Sequence, residues 1–268
     1  MAPCARENIS RAWLAPAWPA PANVHTIVTT RRGIDGPDGD QGDGSVPPYD
    51  GFNLALHVGD DATAVRANRA RLQRALGLAR EPAWLAQVHG IRVVDAATVD
   101  PATPPPLADA SFTRASGVAC VVLTADCLPV VLAARDGTVV GVAHAGWRGL
   151  CDGVIEALVA AMDVPGAGLS AWLGPCIGPA AYETGAEVRA AFIAHCPRAA
   201  AAFDAITRAD GTPGYLCNLY ALARQRLDAL GVCAPAGGEH CTVAENNRFY
   251  SFRRAPVTGR FATLVWRD

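Results

Sequence analysis

The chain contains no lysine: all 23 of its basic residues are arginine. Schiff-base enzymes and Walker-type phosphate loops both need an ammonium group, so neither chemistry is open to it. Any phosphate bound here must be held by guanidinium groups, backbone amides, hydroxyls or a metal. Cys-x-x-Cys pairs are absent too, and the nine cysteines, an odd number scattered from Cys4 to Cys241, suggest neither a disulfide framework nor a zinc ribbon. With six histidines and no His-x-His pair, the chain has too few imidazoles for a multicopper cluster, although a single copper ion could still be held. No stretch approaches the ~18 uninterrupted apolar residues of a membrane span. Arg6, Glu7 and Arg11 interrupt the N-terminus where a secretory signal needs an apolar core. These absences place the chain in the cytoplasm, with most thiols reduced and buried. A net charge of -2 with arginines spread along the chain predicts no extended nucleic-acid surface, and nothing points to a membrane or an obligate protein partner.

What remains is a globular composition, 51% hydrophobic and 18% charged over 268 residues, long enough to bury a substantial core. Residues 1–22 are expected to be a mobile N-terminal segment and 23–268 a single catalytic domain. Helical and strand-like patterns interleave without a GxGxxG turn or a regular βαβ alternation. The reading is therefore an α/β (α+β) fold, one layered domain with a mixed β-sheet covered by helices.

Residues 121–149, VVLTADCLPVVLAARDGTVVGVAHAGWRG, organise the rest. Two β-rich runs, 118–124 and 138–143, end close to metal-binding side chains, Cys127 and His144. A third run, 128–134, followed by the turn signal Arg135-Asp136-Gly137, predicts a fold-back that brings Cys127 and His144 to one end of a sheet. His89, in Gln87-Val88-His89-Gly90 ahead of a strand-like run at 91–94, is the third candidate. Two imidazoles and a thiolate suit Zn²⁺ and leave a fourth position open, as a catalytic site requires.

Around this triad, the pattern after His144 predicts one helix from Gly146 to about Met162. Its N-terminus and Arg148 would favour an anion near the site. Residues 174–179, with two prolines and two glycines, predict a stiff pocket wall, followed by Tyr182 and Glu183 at the start of a helix through Phe192. Residues 51–59 predict a strand carrying Asn53 and His57, the latter read as a core histidine, and residues 62–76 a helix with Val65, Leu72 and Leu76 inward. Residues 33–48 read as a solvated loop, 199–205 and 218–230 as helices, and 24–30, 169–173, 249–252 and 261–266 as strands. Asp126, the carboxylate nearest Cys127 in sequence, is the candidate proton carrier. Asn53, Glu183 and Arg253 are candidate substrate contacts.

The segments QVHG, ADC, HAGWRG, LGPCIGPAAYE, CTVAENNRFYSFRR and TGR, with PPYDGFNLALHVGDD near the start, resemble the YfiH family over nearly the whole chain. Its members are labelled laccase-domain proteins, peptidoglycan editing factors or purine nucleoside phosphorylases. The resemblance implies His89, Cys127 and His144 as metal ligands and an α/β architecture. It also implies phosphorolysis of adenosine, inosine, guanosine or methylthioadenosine by inorganic phosphate, together with deamination of adenosine. The HxE and PCxxC signatures of familiar zinc deaminases are missing, so a different proton carrier is needed. Three alternatives stand beside this reading. They are an amidase removing L-Ser from UDP-MurNAc-L-Ser, a copper-bearing polyphenol oxidase, disfavoured by the histidine count, and a non-catalytic metal-binding protein. A metal-free hydrolase using Cys127 with His144 also stays open.

Overall fold

The computed structural model describes residues 12–33 and 44–268, so the expected N-terminal segment and the 33–48 loop lie partly outside the described residues. In chain order the strands are β1 (Val24–Val28), β2 (Val93–Asp95), β3 (Ala110–Thr113), β4 (Cys120–Thr124), β5 (Leu128–Ala134), β6 (Val140–Ala145), β7 (Leu169–Leu173), β8 (Glu183–Thr184), β9 (Phe203–Thr207), β10 (Pro213–Cys217), β11 (Ala236–Gly237) and β12 (Phe261–Arg267). The helices are α1 (Ala62–Leu76), α2 (Trp147–Asp152), α3 (Val154–Met162), α4 (Ala186–His195) and α5 (Leu219–Ala229).

The main sheet has six strands in the order β11-β7-β5-β6-β3-β2, and its mixed character comes from parallel pairs at the two edges, β11 with β7 and β2 with β3. An antiparallel sheet, β1-β12-β4, packs on one face of it, while a small third sheet, β8-β10-β9, lies to one side of the chain order. The burial pattern explains the layering. In β5 every residue is buried. Val130, Leu132 and Ala134 point to a core shared with Leu150, Ile155, Leu158 and Leu227 of the helices. Val131 and Ala133 point the other way, into a core shared with Val122, Phe261 and Val265 of the smaller sheet. A strand covered on both sides must be apolar at every position, which is why 128–134 is a continuous run and not an alternating one. Each large side chain so buried contributes about 1.5–3 kcal/mol. The outer face of the smaller sheet carries a third core in which Leu264 and Val121 meet Leu72 and Leu76 of α1.

The helix expected at 62–76 is present with those bounds because both ends are specified locally. Asp61 accepts hydrogen bonds from the N–H groups of Thr63 and Ala64, and Gly77 takes the left-handed conformation that stops the helix. The fold-back is also present. β5 and β6 pair antiparallel with Leu128 opposite Ala145 and Pro129 opposite His144, which sets Cys127 and His144 at the same sheet end.

Several expectations fail for identifiable reasons. The 51–59 strand does not form, because the Asn53 side chain takes up the Ala55 N–H at 3.0 Å and donates to Asp60 at 2.9 Å, replacing ladder bonds with local ones. The helix expected from 146 to 162 is broken into α2 and α3 at Gly153, where φ is 103°. His144 lies inside β6 and not beyond it. Residues 197–202 are a 3₁₀ turn running into β9, and 249–251 is irregular chain, with Phe249 N–H bonded to Glu245 C=O, that leads into a turn at 252–254. Residue 22 is no boundary: Trp13 is buried against Phe52 with ring centroids 5.4 Å apart, and Leu14 pairs with Val28.

Candidate metal centre and active site

The open ends of β4, β5 and β6 deliver the triad. Cys127 sits one residue ahead of β5, His144 is the fifth residue of β6, and His89 projects from the loop before β2. Their potential ligand atoms all lie within 4.8 Å of one another, His89 Nε2 is 3.7 Å from Cys127 Sγ, and the two imidazole rings meet edge-on at 4.7 Å. Two non-glycine residues here hold positive φ angles, His89 at 61° and Asp126 at 105°. Conformations so costly persist where the surroundings over-determine them, and both turn the chain toward the same point.

The group that over-determines His89 is Asp109. Its buried carboxylate accepts from His89 N–H (2.9 Å) and His144 Nδ1–H (2.8 Å) through Oδ1, and from Val88 N–H (3.1 Å) and Gly90 N–H (2.8 Å) through Oδ2. One side chain thus fixes the His89 loop and the His144 tautomer together, leaving Nε2 of His144 as its free ligand atom. Gln87 anchors the same loop to β4, bonding the Leu123 N–H at 2.8 Å and C=O at 2.9 Å. Gly146 leaves the room: a Cβ there would stand 2.7 Å from the His89 ring and 3.1 Å from Cys127 Sγ.

Charge and burial compete at these side chains. Burial alone would raise the Cys127 thiol, but the positive charge of His144 and hydrogen bonds from both imidazoles bring it down to about 6. Burial alone would lower His144, but the Cys127 thiolate and Asp109 lift it to about 9. Burial would likewise raise Asp109, yet its hydrogen bonds to His144, Gly90 and Val88 hold its carboxyl below the usual value. Both shifts favour a thiolate–imidazolium pair at neutral pH in the metal-free centre. A soft anionic sulfur with two imidazoles, one already oriented by a carboxylate, is a donor set that fits Zn²⁺. Metal binding should therefore expel the imidazolium proton. Calorimetry in buffers of different ionisation enthalpy is expected to show about one proton released per Zn²⁺ between pH 7 and 8, declining as the pH passes 9.

The triad lines a cavity of about 450 Å³ together with His57, Asp126, Trp147, Ile177, Tyr182, Phe252, Arg253 and Arg260. This volume falls in the ~300–1,000 Å³ range of small-molecule sites. The expected stiff wall is in place through Ile177, whose N–H bonds Asp126 C=O at 2.8 Å. Among the other expected site residues, Asp126 reaches the cavity, but its oxygens already accept from Thr242 Oγ1 (2.6 Å) and Arg253 N–H (2.7 Å). Arg253 lines the cavity, stacks on Tyr182 at 5.3 Å and donates to Glu183 C=O at 3.1 Å. Three lie elsewhere. Asn53 is buried within its own turn, Glu183 is exposed in β8, and Arg148 is an exposed residue 4.4 Å from the Trp147 ring that does not line the cavity. The helix that holds Arg148 in its first turn is only six residues long.

Residues 39–268 match the family described as multi-copper polyphenol oxidoreductase laccase. The chain belongs to that family. Within it, a Pseudomonas aeruginosa protein named purine nucleoside phosphorylase is 50% identical over 95% of this chain and 98% of its own length. An Escherichia coli protein, purine nucleoside phosphorylase YfiH, is 46% identical over 94% and 98%. A crystal structure of a Neisseria meningitidis protein of family DUF152 superposes with a TM-score of 0.86 at 46% identity, covering 96% of this chain and 99% of that one. YlmD from Geobacillus stearothermophilus gives 0.78 at 29% identity, over 97% of each. The copper of the family description calls for more histidines than this centre gathers. Beyond the triad, His25 is bonded to Asp268 and His240 to Glu245, His57 lines the cavity without joining the triad, and His195 lies with Cys151 and Asp152 in a separate group whose ligand atoms are within 4.8 Å of one another.

Sequence reasoning missed Asp109, His57, Trp147, Phe252 and Arg260. Asp109 lies 20 residues from His89 and 35 from His144, and no spacing rule links such positions. His57, read as a core residue, is instead exposed at the cavity, because the missing strand lets its turn reach the mouth.

Proposed function

We propose that the chain is a purine nucleoside phosphorylase with Zn²⁺ at His89, Cys127 and His144, acting on adenosine, inosine, guanosine or methylthioadenosine, and that the same centre deaminates adenosine. One observation carries this reading: a single cavity of nucleoside size joins the metal-ligand triad to aromatic walls and to arginines. The names carried by relatives 46–50% identical over nearly the whole chain support it.

In phosphorolysis an oxygen of inorganic phosphate bonds to the anomeric carbon as the bond to the purine nitrogen breaks. The base departs with the electron pair, takes up a proton and leaves a sugar 1-phosphate. Deamination exchanges the purine amino group for water and releases ammonia. Bound Zn²⁺ would supply Lewis acidity, polarising a substrate heteroatom or making water more acidic. Trp147 and Phe252 offer the apolar faces on which a purine stacks. Burial pushes the Tyr182 hydroxyl up, so it stays a phenol and serves as a hydrogen-bond donor. Arg253, held by Asp126 from its backbone and by the Glu183 carbonyl from its side chain, contacts the substrate. Asn53 acts indirectly, fixing the Arg260 N–H at 2.9 Å. Arg148, which makes no ion pair with a described residue, steers anions to the rim. Asp126 is the carboxylate that lines the cavity and the candidate proton carrier, once Arg253 or Thr242 yields an oxygen to the substrate.

The deciding experiment incubates zinc-replete protein with adenosine, with and without phosphate, and separately with UDP-MurNAc-L-Ser, identifying products by mass spectrometry. Adenine and ribose 1-phosphate are expected only with phosphate, and inosine in both. Free L-Ser from the muramyl substrate with no nucleoside product would replace this reading with amide hydrolysis.

A further inference from the structure

Arg260 is a charged side chain that forms no ion pair among the described residues. It sits at the start of β12 on the cavity wall. Its backbone N–H is fixed by Asn53 Oδ1, and its Nη1 donates to the carbonyls of Thr258 and Gly259, each at 2.9 Å. It makes no ion pair with any described residue, and its Nε and Nη2 make no hydrogen bond with one. The guanidinium is also desolvated. Burial lowers its pKa, opposed by the charges of Cys127 and Asp126. Asp126 does not pair with it, since its oxygens are committed to Thr242 and the Arg253 backbone. The guanidinium of Arg253 lines the same cavity, and among the described residues it bonds a carbonyl and no carboxylate. His57 shares this wall and adds a hydrogen-bonding group; partial desolvation at the cavity and the charges of Arg260 and Arg69 lower its pKa.

A desolvated cation is costly unless something neutralises it, and folded proteins satisfy such groups with partners or ligands. The unengaged edge of a guanidinium is a planar fork matched to two oxygens of a tetrahedral oxyanion. We propose that Arg260, with Arg253 and His57, forms the subsite for the inorganic phosphate co-substrate, inside the cavity and beside the metal centre, so that Arg148 outside it is not the phosphate ligand. This rests on the phosphorolysis reading. The shared chemistry is a tetrahedral phosphate oxyanion, which could also be the 5′-phosphate of a nucleotide, so the test includes both.

The test titrates inorganic phosphate, sulfate and AMP into zinc-loaded wild type, Arg260→Gln, Arg260→Lys and Arg148→Ala by calorimetry, and measures KM for phosphate and for nucleoside separately. Arg260→Gln is expected to weaken phosphate and sulfate binding and raise the phosphate KM by about tenfold to a hundredfold, while the nucleoside KM moves by less than about threefold. Arg260→Lys should recover part of the loss, because the charge survives and the fork does not, and it also serves if Arg260→Gln fails to fold. A phosphate KM unchanged in both Arg260 variants but raised in Arg148→Ala overturns the assignment. So does Arg260-dependent binding of AMP with none of inorganic phosphate. Wild-type protein that forms no phosphate-dependent product would instead fail the functional reading itself, before any variant is compared.

Discussion

Cys127→Ser is expected to lower Zn²⁺ affinity by more than about a hundredfold and to abolish turnover, because the oxygen that replaces the thiolate is a poor soft donor and stays protonated at neutral pH. The structure makes the loss larger than that of an ordinary surface ligand. Cys127 enters the centre as an anion, its thiol pushed down to about 6, and it is the only group there that brings negative charge directly to the ion. His89→Ala should be as damaging as Cys127→Ser and the double variant little worse, since ligands of one ion act as a unit. Cys127→Asp is expected to recover some metal binding through a harder donor. The competing account makes Cys127 a nucleophile with His144 as its base, and the thiolate–imidazolium pair is compatible with it. The two accounts separate under chelation. Elemental analysis should find one Zn²⁺ per chain in wild type, with activity lost on chelation and restored by Zn²⁺. A covalent substrate adduct at Cys127 in chelated protein, seen by intact mass, would overturn the metal assignment.

The second large effect is expected at Asp109, which does not line the cavity. Asp109→Ala removes a buried carboxylate that accepts four hydrogen bonds, leaving three backbone N–H groups and the His144 Nδ1–H without their acceptor. Loss of one partner of a buried charged network costs about 3–5 kcal/mol, so a marked fall in the unfolding midpoint is expected. Asp109→Asn is the sharper variant. Its shape is conserved, but one arm becomes an NH₂ group. If that arm replaces Oδ2 it confronts the N–H groups of Val88 and Gly90, and if it replaces Oδ1 it confronts His89 N–H and His144 Nδ1–H. Either way two donors face two donors. Zn²⁺ affinity, read by competition with a chromogenic chelator, should drop about 10–100-fold, the range for lost partners of metal-ligating histidines. Wild-type affinity in a folded Asp109→Asn protein, with only the unfolding midpoint lowered, would mean that Asp109 holds the fold and not the site.

Much of the frame was legible in the sequence because its signals are local. The Asp61 cap and the Gly77 stop delimit α1, the 128–134 run is a strand covered on both faces, and Asn218 caps α5 by accepting from Ala221 N–H at 3.0 Å. The juxtaposition of Cys127 and His144 was legible for a related reason. Cys127 and His144 flank one hairpin, and a tight turn with Gly137 at a φ of 73° fixes which residues end side by side.

Other features needed the tertiary structure. Residues 51–59 alternate like a strand, but strand formation needs a partner edge, and Asn53 offers the backbone nearer bonds first. The helical pattern from 146 to 162 carries no mark of its break, because Gly153 is tolerated in a helix and becomes a stop only where the packing of α2 and α3 requires a turn. Side-chain types and short spacings, then, determined the hairpin that carries Cys127 and His144 and the main helices. The tertiary structure alone decided that Asp109 couples two of those ligands, that Asn53 and Arg148 stand off the cavity, and that Arg260 and His57 enter it. Hydrogen bonds and charges that close a site join residues far apart in the chain, and their partners are chosen by packing and not by spacing.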